Sequence, residues 1–276
     1  MANTSQFQPE GTAYVERNSG DGDLGGKIDF YYDYEIGSSD SYYFETIQKK
    51  DLAEVCKYLE FPVDKLPKIS YKTYEDIDKK RAADPNHSGS RASARCDEMT
   101  IYRVWKPGDG ENPSFPHEIV HLVAHLWSVP YRWNATLTAP DGSEFQKEIG
   151  MVSTSFMQEG LAIAVDDIVF GRELKEEGNL KLIDDWCREQ IDLIRHIDLA
   201  SVINFDGFCS VDNKLVVPFA ASFSKFLLNK YGLGKYKTMY IGVKEVNSSR
   251  QNVDFFESVL GDIGSVLAEW QRSLGC

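Results

Sequence analysis

Hydrophobic positions in the first hundred residues fall in short alternating or aromatic runs, whereas those further along recur at helical spacing. Residues 27–34, with Phe30, Tyr31, Tyr32 and Tyr34, predict a strand. Residues 41–59 carry Tyr43, Ile47, Leu52, Val55, Cys56 and Leu59 at helical intervals and predict a helix. Pro62, Asp64 and Pro67 break the chain after that helix, and residues 69–74 predict a second strand. Residues 81–97 are polar and read as a loop, with His87 as a solvated side chain. Residues 98–105 give the best strand pattern in the chain, β-branched and aromatic with alternation. That strand could offer its edge to an extended peptide or be an ordinary sheet strand, and the sequence leaves both open.

The pattern then becomes helical. Residues 117–126 are an apolar run that Ser114 can cap and Pro116 can start, ended by Val129, Pro130, Trp133 and Asn134. Residues 135–150 are polar, and Asp141-Gly142 predicts a turn or hairpin where the chain crosses between two lobes. A helix begins near Thr154 and Ser155, with capping-box spacing from Ser155 to Gln158, and closes at Gly171. Further helices are predicted over 179–197, over 216–231 ending at Gly232, and over 248–260 and 262–274. Strands early and helices late make an α+β layout: a polar, Gly-rich tail (1–26), an N-terminal α/β lobe with a small sheet (27–135) and a mostly helical C-terminal lobe (136–276).

Within the apolar run stands His117-Glu118-Ile119-Val120-His121. Residues four apart on a helix share one face, so two imidazoles can reach one metal ion. Glu118 lies about 100° further round, beside that ion, where a carboxylate can take a proton from water. Five histidines placed at random would give this spacing in on the order of one such chain in a hundred, so the spacing carries weight.

The chain has 276 residues, 42% hydrophobic and 26% charged, ordinary values for a globular protein. Its net charge of −13 argues against a nucleic-acid or anionic-membrane partner, both of which want a basic patch. No apolar run approaches the roughly 20 residues of a membrane span. Cys56, Cys96, Cys187, Cys209 and Cys276 are scattered without a Cys-x-x-Cys pair and suit a reducing compartment. The expected location is cytoplasmic if Met1 is the native start, and exported if a leader has been removed.

A catalytic zinc commonly has three protein ligands and water. His125 shares the helix but lies about 12 Å along it from His117, too far for one ion with bonds of about 2 Å. His196 stands alone in a mixed stretch. Glu159, a carboxylate early in an otherwise apolar helix, is the best third ligand, because a charge there needs a partner.

The pairing of this motif with Glu159-Gly160-Leu161-Ala162 resembles the gluzincin metallopeptidases, the clan of thermolysin and the zinc aminopeptidases, and most of all their small bacterial peptidase-MA-like members. The likeness covers roughly residues 98–274 and includes the helix from Pro218 to Gly232 and the run from Leu267 to Leu274. It implies a zincin-like fold, Zn2+ on His117, His121 and Glu159, Glu118 as general base, and a peptide or protein substrate. Thermolysin-type enzymes carry an Asp four residues after the ligand Glu, where this chain has Ile163; Asp166, on the same helix face, is the alternative for orienting a histidine. Relatives often supply an oxyanion-stabilising Tyr where this chain has Phe219, leaving Tyr231, Tyr240 and His196 as substitutes, with Tyr231 taken as the catalytic candidate. The Gly-x-Met-Glu-Asn strand of the aminopeptidases is missing.

Overall fold

In the computed structural model, the described residues are 24, 26–87, 89–128, 133–138, 144–149, 153–171, 174–176 and 179–275. The expected tail, apart from Leu24 and Gly26, and the turn at Asp141-Gly142 lie outside them. The chain divides into two compact units, 1–119 and 120–276.

The first unit runs β1 (Ile28–Tyr32), α1 (Ser38–Tyr58), β2 (Ile69–Tyr74), α2 (Ile77–Ala83), β3 (Ala92–Arg95) and β4 (Thr100–Val104), and ends inside α3 (His117–His125). Its four strands form one mixed sheet in the order β1-β2-β4-β3. β1, β2 and β4 are parallel, with Phe30 beside Tyr71 and Tyr71 beside Ile101; β3 runs antiparallel to β4. Helix α1 lays Phe44 against Phe30, Tyr71 and Trp105, so one aromatic cluster joins helix to sheet. All five residues of β4 are buried, as in a parallel strand covered on both faces. β4 has a neighbour on each side, so it offers no edge to a peptide; β3 takes that edge.

Residues 81–97, expected to be only a loop, hold the end of α2, a 3-10 turn at Pro85–His87 and β3. The reason is a buried ionic cluster centred on Asp84. Its carboxylate and the Lys80 ammonium are both fully buried and 3.3 Å apart. Asp84 also accepts from the Ser93 hydroxyl, from Arg95 Nε at 2.8 Å and from the half-exposed His87 ring at 3.3 Å. Strong charges dominate the local sequence, yet they point inward and pin a strand.

The second unit holds an antiparallel hairpin, β5 (Trp133–Thr138) with β6 (Glu144–Ile149), in the stretch where a hairpin was expected. Then come α4 (Ser155–Phe170), a small hairpin of β7 (Leu174–Glu176) and β8 (Asn179–Lys181), α5 (Ile183–Glu189), α6 (Ile191–Ile194), α7 (Leu199–Val202), α8 (Phe205–Ser210), α9 (Asn213–Gly242), α10 (Ser249–Leu260) and α11 (Ile263–Ser273). The expected helix over 179–197 is instead β8 followed by two short helices that part at Gln190. α9 does not end at Gly232. It bends there, with φ 79° and ψ 164°, a left-handed region that favours glycine, and resumes to Gly242. The Ser248 and Gln251 side chains form a full capping box on α10. No helix among the described residues is long and apolar enough to cross a membrane.

The core of the second unit is the close packing of α4 on α9. A Cβ on Gly160 would come within 2.4 Å of Ser224 Oγ and 2.6 Å of the Ala220 carbonyl oxygen, so only glycine allows this approach. Phe156 packs edge-on against Phe219, which lies against Trp270 of α11. Lys225 ties the end of α4 to α5 through Asp167 at 2.6 Å and Asp184 at 2.7 Å.

The Asp84 cluster makes stability depend on pH. Burial would raise this carboxyl, but hydrogen bonds from Ser93, Arg95, His87 and Lys80 outweigh it and hold it well below the usual carboxylate range. A carboxyl lowered in the folded state contributes stability above its unfolded pKa of about 3.9 and loses it as pH falls further. Asp84→Asn strands the buried Lys80 and should cost about 3–5 kcal/mol at pH 7 in urea unfolding. The gap from wild type should narrow below about pH 4.

Candidate metal centre

Helix α3 is buried nearly all round. Glu118, Ile119, Val120, Leu122, Val123 and Ala124 are buried, while His117, His121 and His125 keep partial exposure. Those three recur every four residues, so the one stripe open to solvent is the histidine stripe. The helix is short: after His125 the chain tightens into turns, with Trp127 N–H donating to the Ala124 carbonyl at 3.0 Å.

The approach to His117 is held by the first unit. Asp51 of α1, itself buried, accepts from the Ser114 hydroxyl at 2.7 Å and from the Phe115 N–H at 3.1 Å. Gln48 Nε2 and Arg103 Nη1 both donate to the Pro113 carbonyl at 2.5 Å. The Arg103 guanidinium lies over the Phe115 ring, which in turn lies 5.9 Å from the His117 ring. Ser114 therefore does not cap α3, as its sequence position suggested; its hydroxyl goes to Asp51 and the helix begins three residues later.

Glu159 is presented by α4. The expected Ser155–Gln158 capping box does not form: Gln158 Nε2 donates to the Ser153 carbonyl, and the Ser155 N–H donates to Glu245. Gly171 closes the helix in the left-handed conformation, φ 62°, as expected. Behind Glu159, the buried Tyr236 hydroxyl donates to the Met157 carbonyl at 3.2 Å and lies 2.9 Å from Ser224 Oγ, the atom that meets Gly160.

The result is a convergence. His121 Nε2 lies 3.5 Å from Glu159 Oε1. One ligand atom from each of His117, His121 and Glu159 falls within 4.8 Å of the others. Tetrahedral bonds of about 2.0–2.2 Å put ligand atoms about 3.3–3.5 Å apart, so the three donors fit a single ion after a small closure. The donor set also fits. Two imidazoles and one carboxylate suit a borderline transition-metal ion, whereas calcium and magnesium want oxygen alone. This group can hold a metal ion.

Glu118 is buried, with 7% of its surface exposed. Burial pushes the Tyr71 phenol up, Arg103 pulls it down, and the nearby Glu118 and Asp51 carboxyl groups push it up again, which places Glu118 close to the sheet. Asp166 is half-buried on α4, where its carbonyl accepts from the Gly171 N–H. Tyr231 stands just before the Gly232 bend with Lys230 and Lys235 over its ring at 5.1 and 5.4 Å. Tyr240 is buried edge-on to Trp127, and His196 is exposed after α6. Asp51, Glu245 and Tyr236 carry no local sequence signal, because each acts on a partner far along the chain.

No family model matches the chain, and no curated protein matches it.

His121→Ala or Glu159→Ala should abolish stoichiometric divalent-metal binding, measured by elemental analysis after dialysis, with unchanged far-ultraviolet circular dichroism. His196→Ala should keep the metal.

Proposed function

We propose that this protein is a zinc-dependent metallopeptidase of the gluzincin kind, with a zincin-like fold and a peptide or protein as substrate. The observation that carries the reading is the meeting of His117, His121 and Glu159 within 4.8 Å, with a buried carboxylate on the residue next to the first ligand.

His117, His121 and Glu159 would hold the ion. Zinc, when bound, supplies a Lewis acid that lowers the pKa of water to about 7. Glu118 accepts the proton of the attacking water and delivers it to the leaving amine. Its burial limits competing solvent at the carboxylate. Asp166 is the candidate for orienting a ligand histidine and Tyr231 for stabilising the oxyanion, both carried from the resemblance alone.

A second reading, a zinc-binding protein of the same fold that recognises or scaffolds without cleaving, is favoured by one observation. Phe219, where relatives often have an oxyanion-stabilising Tyr, is buried in an aromatic cluster with Phe156 and Trp270 and offers no hydrogen bond. The two readings separate in one assay. Under the peptidase reading, wild type cleaves a peptide library and Glu118→Gln loses about 10²–10⁴-fold in rate while retaining zinc. Under the second, wild type binds stoichiometric zinc and cleaves nothing.

A further inference from the structure

Helix α4 begins one turn before Glu159, and its first N–H, on Ser155, donates to Glu245 Oε1 at 2.8 Å. The second oxygen of the same carboxylate accepts from the Phe205 N–H, at the start of α8, at 2.9 Å. One carboxylate thus ties the starts of two helices together. An anion is favoured at a helix N-terminus, and Thr154 makes no side-chain cap there, so Glu245 takes the capping role from a distant part of the chain.

The segment bearing Glu245 is itself fixed. Lys244 pairs with Ser153 in an isolated antiparallel bridge. Asn252, fully buried, accepts from the Lys244 N–H at 3.0 Å and donates to the Lys244 carbonyl at 2.9 Å. Its amide also donates to Asn204 Oδ1 at 3.2 Å, while Asn204 Nδ2 donates to the Asn247 carbonyl at 2.9 Å. A buried polar network with its groups satisfied is rigid, and rigidity here is transmitted to Ser155.

We infer that Glu245 is a positioning residue for the metal ligand Glu159. Ser155 and Glu159 are four apart, on one face and about 6 Å apart along the axis. Helix ends fray, and a frayed first turn carries Glu159 away from His121. The inference rests on the reading of His117, His121 and Glu159 as metal ligands.

The test is a Zn2+ titration of the full-length protein against a competing chelator, for wild type, Glu245→Ala, Glu245→Gln and Asp262→Ala. Asp262 caps α11 by accepting from the Ser265 N–H at 2.7 Å, so its removal controls for the loss of a cap as such. Glu245→Ala should weaken zinc binding about 10–100-fold, the range seen when groups that orient metal ligands are removed. Glu245→Gln, with one acceptor oxygen left, should recover part of that loss and keeps the test valid if the alanine variant does not fold. Asp262→Ala should melt at a lower temperature with wild-type affinity. Wild-type affinity in both Glu245 variants, or an equal loss in Asp262→Ala, overturns the inference alone. Absence of zinc binding in wild type overturns the ligand reading, and the inference falls with it.

Discussion

The candidate site depends on one convergence: His117, His121 and Glu159 each bring a ligand atom within 4.8 Å of the others, at a half-buried spot where a metal ion can be held. His117 and His121 offer ring nitrogens there and Glu159 a carboxylate oxygen, a donor set that suits a divalent ion. Water can solvate part of this, since the Glu159 side chain is 38% exposed, but His121 is only 11% exposed. A divalent ion meets every donor at once. The surrounding structure can be read as the means of keeping that convergence in place.

Each of the three side chains is secured differently. His117 sits at the end of a segment clamped by Asp51, Gln48 and Arg103, three side chains from α1 and β4 whose polar ends are aimed at the backbone of residues 112–115. His121 follows automatically, one helical turn on. Glu159 depends on the contact of α4 with α9, where Gly160 removes the side chain that would hold the helices apart and Tyr236 bonds across the same interface. Most residues of α3, and of α4 from Phe156 to Val165, are apolar and buried, so the positions of these helices are set by packing, which resists drift better than exposed loops do.

Local signals in the sequence were legible. The His-Glu-x-x-His spacing pointed to His117 and His121, and a carboxylate early in an apolar stretch pointed to Glu159; the structure brings the three within 4.8 Å of one another. β1, β2, β4, α1, α4, α10 and α11 followed from periodicity, and Gly171 from its place after an apolar run. What escaped was set by distant partners. β3 is four residues of Ala, Ser, Ala and Arg, a strand only because β4 pairs with it and Asp84 anchors Ser93 and Arg95. β8 carries one apolar residue, Leu180, three positions before Ile183 of α5 and so at helical spacing, yet it pairs with β7. Ser114 and Ser155 have the chemistry of helix caps, but the Ser114 hydroxyl donates to Asp51, and Ser155 is already inside α4 with its backbone N–H donating to Glu245. A one-dimensional pattern cannot show a hydrogen bond to a residue tens of positions away.

In the proposed site, two imidazole nitrogens and one carboxylate oxygen bind one ion. X-ray absorption at the zinc edge, on full-length protein loaded with one equivalent of Zn2+, tests it most directly. The account predicts a first shell of nitrogen and oxygen at about 2.0–2.2 Å with imidazole multiple scattering from two rings, dropping to one ring in His117→Ala. A sulfur shell at about 2.3 Å, or a spectrum unchanged by His117→Ala, would contradict it.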